Sequence, residues 1–187
     1  MRSAIERLCR ALPLLGLLVA LLGGGLFPAS AAAAPATPDW PFGILRPLAP
    51  PGEAAEDRIV ELVNAERALV GLAPLARHAG LASAAGDYAA AMAGGAFFSH
   101  TSLDGSGVQE RGESHGYVAW TFLGENLAAG QRTPERVVRA WMASPTHRAN
   151  VLATQACDIG VGRATARGAG YDVYWVMEIG CGLLSGA

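Results

Sequence analysis

Residues 157–181, CDIGVGRATARGAGYDVYWVMEIGC, contain two alternating runs around a glycine-rich turn. Ile159 and Val161 mark the first run, and Val173, Trp175, Met177 and Ile179 the second. Between them lies Arg167-Gly168-Ala169-Gly170. Period-two alternation on both sides of such a turn predicts an antiparallel hairpin rather than a strand-helix-strand unit. Facing residues in an antiparallel pair have indices of constant sum. Cys157 and Cys181 centre the turn on Ala169, so they face each other at the open end of the hairpin. A disulfide follows if the chain reaches an oxidising compartment; two buried free thiols are the alternative.

Working back towards the N-terminus, the pattern turns helical. Ile59, Leu62, Val63, Glu66 and Leu69 recur at helical spacing behind the acidic opening Glu53, Glu56 and Asp57, with Gly71 and Pro74 as a stop. From His78 to Met92 a second helix presents Leu81, Ala84, Ala85, Tyr88, Ala91 and Met92, and Gly94-Gly95 ends it. Thr133, Pro134 and Glu135 open a third helix with Val137, Val138, Trp141 and Met142 on its inner face, and Pro145 closes it. Between Phe97 and Gly130 no long period holds, so that stretch is expected to be mostly loop with short elements. Helices followed by an antiparallel hairpin argue for the α+β class.

The N-terminus reads differently. Arg2, Arg7 and Arg10 precede the apolar run Leu12 to Leu22, and small residues at 29–34 offer cleavage sites between Ala31 and Ala36. This is the pattern of a signal peptide over residues 1–34. The run is shorter than the ~20 residues a spanning helix needs, so no stable transmembrane anchor is expected after cleavage; an uncleaved anchor is the alternative. Cys9 would leave with this leader. Residues 35–52 hold six of the 11 prolines and read as a linker, with Trp40 and Phe42 able to dock on the domain or move freely. The folded domain is assigned to residues 53–187.

The whole chain has 187 residues, a mean hydropathy of +0.27 and a net charge of −2. Removing the leader takes away Arg2, Arg7, Arg10 and Glu6, leaving 11 basic against 15 acidic groups, a charge of −4. A mildly acidic domain without a basic field is not expected to bind nucleic acid.

The chemistry-bearing residues are scattered. His100 follows Phe97-Phe98-Ser99, Glu125 lies in Gly124-Glu125-Asn126, and His147 follows Ser144-Pro145-Thr146. Two imidazoles and one carboxylate are ligand types for a divalent metal such as zinc. They equally suit an acid/base cluster, or a hydrogen-bonded scaffold. No HExxH or CxxC motif is present. His78 reads as a surface or capping residue, and His115 sits in a polar, glycine-flanked loop. Alternation sets Glu178 opposite Trp175 and Met177, in a solvated or cross-strand role. Tyr117, Trp120 and Trp141 read as core and cleft wall, and Arg148 and Asn150 as supports of the turn after His147.

Taken together, Phe98-Ser99-His100, Gly124-Glu125-Asn126-Leu127-Ala128, the run Trp141 to Leu152 (WMASPTHRANVL) and Ile159-Gly160-Val161-Gly162 resemble the CAP superfamily. That superfamily includes cysteine-rich secretory proteins, antigen 5 and plant pathogenesis-related proteins, and this chain is similar to its compact bacterial, SCP-like branch. The resemblance implies a three-layer α-β-α sandwich with a central antiparallel sheet and a surface cleft. It assigns His100, Glu125 and His147 to the cleft as ligands of an optional divalent metal, zinc favoured. Ser99, Ser144 and Asn126 are cleft candidates. The family's second cleft glutamate falls at Ser144, so one carboxylate is missing; Glu178 is the alternative that would compensate. With the signal peptide placing the chain in a secreted, periplasmic or cell-envelope location, the resemblance is consistent with a module that binds a lipid or cell-envelope ligand or serves as an interaction module. A secreted metal- or histidine-dependent hydrolase is the rival, with Ser99 or Ser144 as a hydroxyl nucleophile. Ser99 and His100 are neighbours on an extended segment and should point apart.

Overall fold

The computed structural model describes residues 54–166, 168 and 170–182. The signal peptide at 1–34, the linker at 35–52 with Trp40 and Phe42, the turn centre Ala169 and positions 53 and 183–187 of the domain lie outside the described residues.

Among the described residues, five helices and four strands follow one another: α1 (Ala55–Leu69), β1 (Ala76–Arg77), α2 (Ala79–Gly95), α3 (Val108–Ser114), β2 (Trp120–Ala129), α4 (Pro134–Ala143), α5 (Pro145–Val151), β3 (Asp158–Thr165) and β4 (Val173–Gly182). The strands form one sheet in the order β1-β3-β4-β2. β3/β4 and β4/β2 are antiparallel, and the two-residue β1 adds a parallel edge beside β3. One face of β4, with Val173, Trp175, Met177 and Ile179, packs with Ile159 and Val161 against α1, α4 and α5. The other face, with Tyr174 and Val176, joins Leu127 of β2 against Ala85, Tyr88, Ala89 and Met92 of α2. The result is the α-β-α sandwich with a central antiparallel sheet that the motifs imply.

The hairpin register is the one the cysteines dictate. Asp158 faces Gly180 and Ile159 faces Ile179, pairs whose indices total 338, as do those of Cys157 and Cys181. The two cysteines form a disulfide with Cα atoms 4.9 Å apart. His78 caps α2, its Nδ1 accepting from the Gly80 amide at 3.1 Å. That helix runs through Gly94-Gly95 and ends on Ala96, whose φ of 51° is left-handed.

One expectation fails and another is incomplete. Trp120–Ala129, assigned to loop, is a ten-residue edge strand. Its core-facing residues include Glu125 and Asn126 besides Leu127 and Ala128, so the polar residues hide the alternation. Pro145 does close α4, but it also opens α5. Proline disfavours the helical conformation at the preceding Ser144, which takes φ −97° and ψ 121°, while its own fixed φ suits the first position of the next helix.

The glycines at 160 and 162 explain how tightly the layers meet. Both point from β3 into α2. A Cβ at Gly160 would lie 2.1 Å from the Leu81 carbonyl carbon, and one at Gly162 would lie 2.2 Å from that of Ala85. The alanine-rich helix rests with its backbone on the strand, and no side chain larger than hydrogen fits. Gly162→Ala is therefore expected to lower the free energy of unfolding by about 2 kcal/mol, measured by urea denaturation. Gly86→Ala, in the same helix where a Cβ meets nothing within 4 Å, should raise it by about 0.5 kcal/mol.

Candidate functional site: two histidines held across an edge strand

Successive side chains of β2 point to opposite faces of the sheet. Glu125 faces the α2 and α3 layer with Leu127, and Asn126 faces the α4 and α5 layer with Ala128. Each of the two takes hold of one histidine-bearing segment.

On the first face, Glu125 is 7% exposed and its Oε1 lies 2.6 Å from His100 Nδ1. Arg111 of α3 donates from Nη2 to Glu125 Oε2 at 2.5 Å. The same guanidinium reaches Ser106 O at 3.1 Å and Ser102 Oγ at 3.2 Å, and lies 3.5 Å over the Tyr88 ring. The hydrogen bond to Glu125 raises the pKa of His100 above its ordinary value, against some loss of water. Beside an accepting carboxylate Nδ1 is the donor nitrogen, and the outer nitrogen Nε2 is turned away from it.

On the second face, Asn126 is fully buried. Its Nδ2 donates to the backbone carbonyl of His147 at 2.9 Å, and its Oδ1 accepts from Asn150 Nδ2 at 2.8 Å. Asn150 Nδ2 also donates to the Glu125 carbonyl at 2.9 Å. A Cβ at Gly124 would lie 3.3 Å from Asn150 Oδ1, so glycine there leaves space for the asparagine. Each residue of Gly124-Glu125-Asn126 thus has a mechanical task. Asn126, a cleft candidate from sequence, holds α5 in place from below the surface, and Asn150 supports His147 as expected. His147 is half-buried, and loss of water, followed by the charge of nearby His100, lowers its pKa. It is neutral at pH 7, with a lone pair available.

Glu178 lies opposite Trp175 and Met177 and across from β2, as alternation sets it, but it is not solvated. It lies directly across from Glu125 in the β2/β4 register and on the same face, with no exposed surface. Neither carboxyl oxygen has a hydrogen-bond partner among the described residues, and Arg111 Nε is 3.8 Å away. Burial, then the charge of Glu125, pushes its pKa up to about 8. At neutral pH it is mostly the uncharged acid, so Arg111 is left to Glu125. Neither Arg111 nor Tyr88 was singled out for this role from sequence. A basic residue in a short loop helix carries no motif, and only the fold brings it to Glu125.

His147 and Ser144 line a cleft of about 310 Å³ together with Phe98, Gln131, Trp141 and Tyr171. Trp141 is cleft wall and core at once, its Nε1 donating to the Leu127 carbonyl at 3.0 Å. Tyr117 is core alone, donating to Asp158 Oδ2 at 2.9 Å, and Trp120 bonds Glu113 outside the cleft. Ser99 is exposed; its Oγ accepts from the Thr101 amide at 3.1 Å, so it shapes its own turn. His115 pairs with Asp87 at 2.9 Å and lines a separate cavity of about 400 Å³ with Tyr88, Ser102 and Asp104.

Among the described residues, no group of three or more His, Cys, Asp or Glu side chains is arranged to hold a metal ion. Both Glu125 oxygens are engaged, one by His100 and one by Arg111. The residues that could hold a cation are the imidazoles of His100 and His147, with Glu125 bonded to the first through Nδ1.

An α-β-α sandwich around a largely antiparallel sheet is the class of domain defined here. The chain belongs to the cysteine-rich secretory protein (CAP) family, whose model matches residues 60–179. It is 40% identical over 109 residues to an uncharacterized protein, YkwD, of Bacillus subtilis (strain 168), a match covering 58% of this chain and 42% of that protein. An extracellular protein containing a SCP domain from Bacillus anthracis str. Ames is 26% identical with a TM-score of 0.61, over 68% of this chain and 40% of that one. An outer surface protein from Borrelia burgdorferi shares the fold, with a TM-score of 0.62 at 24% identity, over 68% of this chain and 92% of that one. The matched part of this chain spans about two fifths of the two Bacillus proteins.

The state of Glu178 has a thermodynamic consequence. In the unfolded chain its proton leaves near pH 4.5, whereas in the fold it is kept until about 8. Between these values the folded state binds more protons, so this residue makes stability fall as pH rises. Glu178→Gln should leave stability little changed at pH 5 and raise it by roughly 3 kcal/mol at pH 8.5, measured by denaturant titration at both values.

Proposed function

We propose that this chain is an exported CAP-domain module that binds a lipid or cell-envelope ligand in the cleft of Phe98, Trp141, Ser144, His147 and Tyr171. The observation that carries this is a neutral, half-buried imidazole beside exposed aromatic rings, within reach of the charge on a second, carboxylate-oriented histidine. Sites of this kind combine apolar walls with a few placed polar groups. Export is supported by the signal-like leader and the Cys157–Cys181 disulfide. No helix among the described residues is long and apolar enough to cross a membrane.

A divalent cation, zinc first, is the optional cofactor. His100 and His147 would hold it, and Glu125 would fix the His100 tautomer through Nδ1. Two neutral imidazoles offset none of the cation's charge, so weak binding that leaves positions free for a ligand is expected. When bound, the metal would polarise an oxygen of that ligand. The His100–Glu125 pair at 2.6 Å favours, as a second reading, a hydrolase in which His100 serves as base. Ser99 does not fit as nucleophile, since its hydroxyl is turned to Thr101.

Calorimetric titration of zinc should give a heat with the wild type and none with His100→Ala/His147→Ala; equal heats would reject the cation. Equilibrium dialysis against palmitate and against soluble wall-glycan fragments should retain one of them, and less of it with His147→Ala. Retention of neither, with turnover of an ester or peptide library, would replace binding by hydrolysis.

A further inference from the structure

We propose that the ligand of the His147 cleft is a saccharide, recognised as a pyranose ring stacked on Tyr171 and Phe98. This rests on the ligand-binding role proposed above and chooses between its two ligand classes.

Three observations converge. Phe98, from the segment after α2, and Tyr171, from the end of the hairpin turn, are each 46% exposed. Their centroids are 5.9 Å apart at an interplanar angle of 62°, and Tyr171 stands edge-on to Tyr174 behind it at 5.9 Å and 85°. Two aromatic rings from different parts of the chain are thus braced at the cleft mouth while keeping surface in water. The C–H face of a pyranose is apolar and flat and fits such a ring, while its rim of hydroxyls stays polar.

The second observation is an acceptor without a donor. Gln131 lines this cleft, and its buried Oε1 has no hydrogen-bond partner among the described residues. The backbone of Gln131 is held by Trp175 Nε1, which donates to its carbonyl at 2.8 Å. The partly exposed side chain can still turn its amide towards a ligand. An unpaired buried acceptor costs about 1–3 kcal/mol. An acyl chain leaves that cost in place, whereas a hydroxyl or acetamido N–H removes it. Ser144 and neutral His147 supply further hydrogen-bonding groups on the same lining.

Size is the third. At about 310 Å³ the cleft is at the small end of the roughly 300–1,000 Å³ typical of ligand sites. That suits one or two rings, with further sugars running out over the surface, better than a long chain needing a tunnel.

The test is calorimetry of the intact exported protein with the N-acetylglucosamine tetramer, cellotetraose and palmitate, repeated on Tyr171→Ala, Phe98→Ala and Gln131→Leu. The first two substitutions remove exposed rings and should leave the fold intact, checked by circular dichroism. A tetrasaccharide is expected to bind, about tenfold more weakly in each variant. Preference for the N-acetylated chain over cellotetraose would locate the acetamido group at Gln131. Binding of palmitate and neither sugar, lost in Tyr171→Ala, would overturn the saccharide while leaving the ligand-binding role standing. No binding of any of the three would overturn both. Sugar binding indifferent to all three substitutions would place the saccharide elsewhere and overturn the proposal.

Discussion

Neighbouring residues on a β-strand cannot face the same way, and at the edge strand β2 this constraint organises the site. Glu125 turns to one layer of helices and Asn126 to the other. Each grips a different segment: the carboxylate holds the His100 ring, and the amide holds the backbone of His147. Histidines 47 positions apart in sequence are set against the same edge by two consecutive side chains. Because β2 pairs on one side alone among the described residues, its other edge is where segments from both layers can approach one another.

The electrostatics follow from one arginine serving two carboxyl groups. Glu125 and Glu178 are cross-strand neighbours on a buried face, and Arg111 reaches both. Burial first, and then the charge of Glu125, outweigh the pull of Arg111 and leave Glu178 protonated. Arg111 and His100 are then left to Glu125. The stacking of Arg111 on Tyr88 and its bonds to Ser102 and Ser106 tie this arrangement to the segment that carries His100.

Much of this architecture is legible in the sequence because it depends on local rules. The hairpin register is set by alternation and a glycine-rich turn, and the two cysteines check it independently. The alanines of α2 signal close packing, whereas the part of Gly160 and Gly162 in it emerges only from the fold. The strand β2 escapes notice for an opposite reason: its charged and amide side chains are buried through partners that only the fold supplies. Arg111 is invisible for the same reason, and for Glu178 alternation gives the face but not its burial beside Glu125. His100, Glu125 and His147 could be marked as candidates from their motifs. The division of work among them, with Glu125 orienting one ring rather than facing the cleft, could not be read that way.

The most direct test of this account is the separate titration of the two imidazoles by long-range proton–nitrogen NMR in the metal-free protein. His100 should be protonated on Nδ1 and titrate above 6.5, and His147 should titrate below it. Glu125→Gln should lower the His100 value. Two histidines titrating together near the ordinary value, with no response to Glu125→Gln, would contradict the claim that the edge strand sets their states.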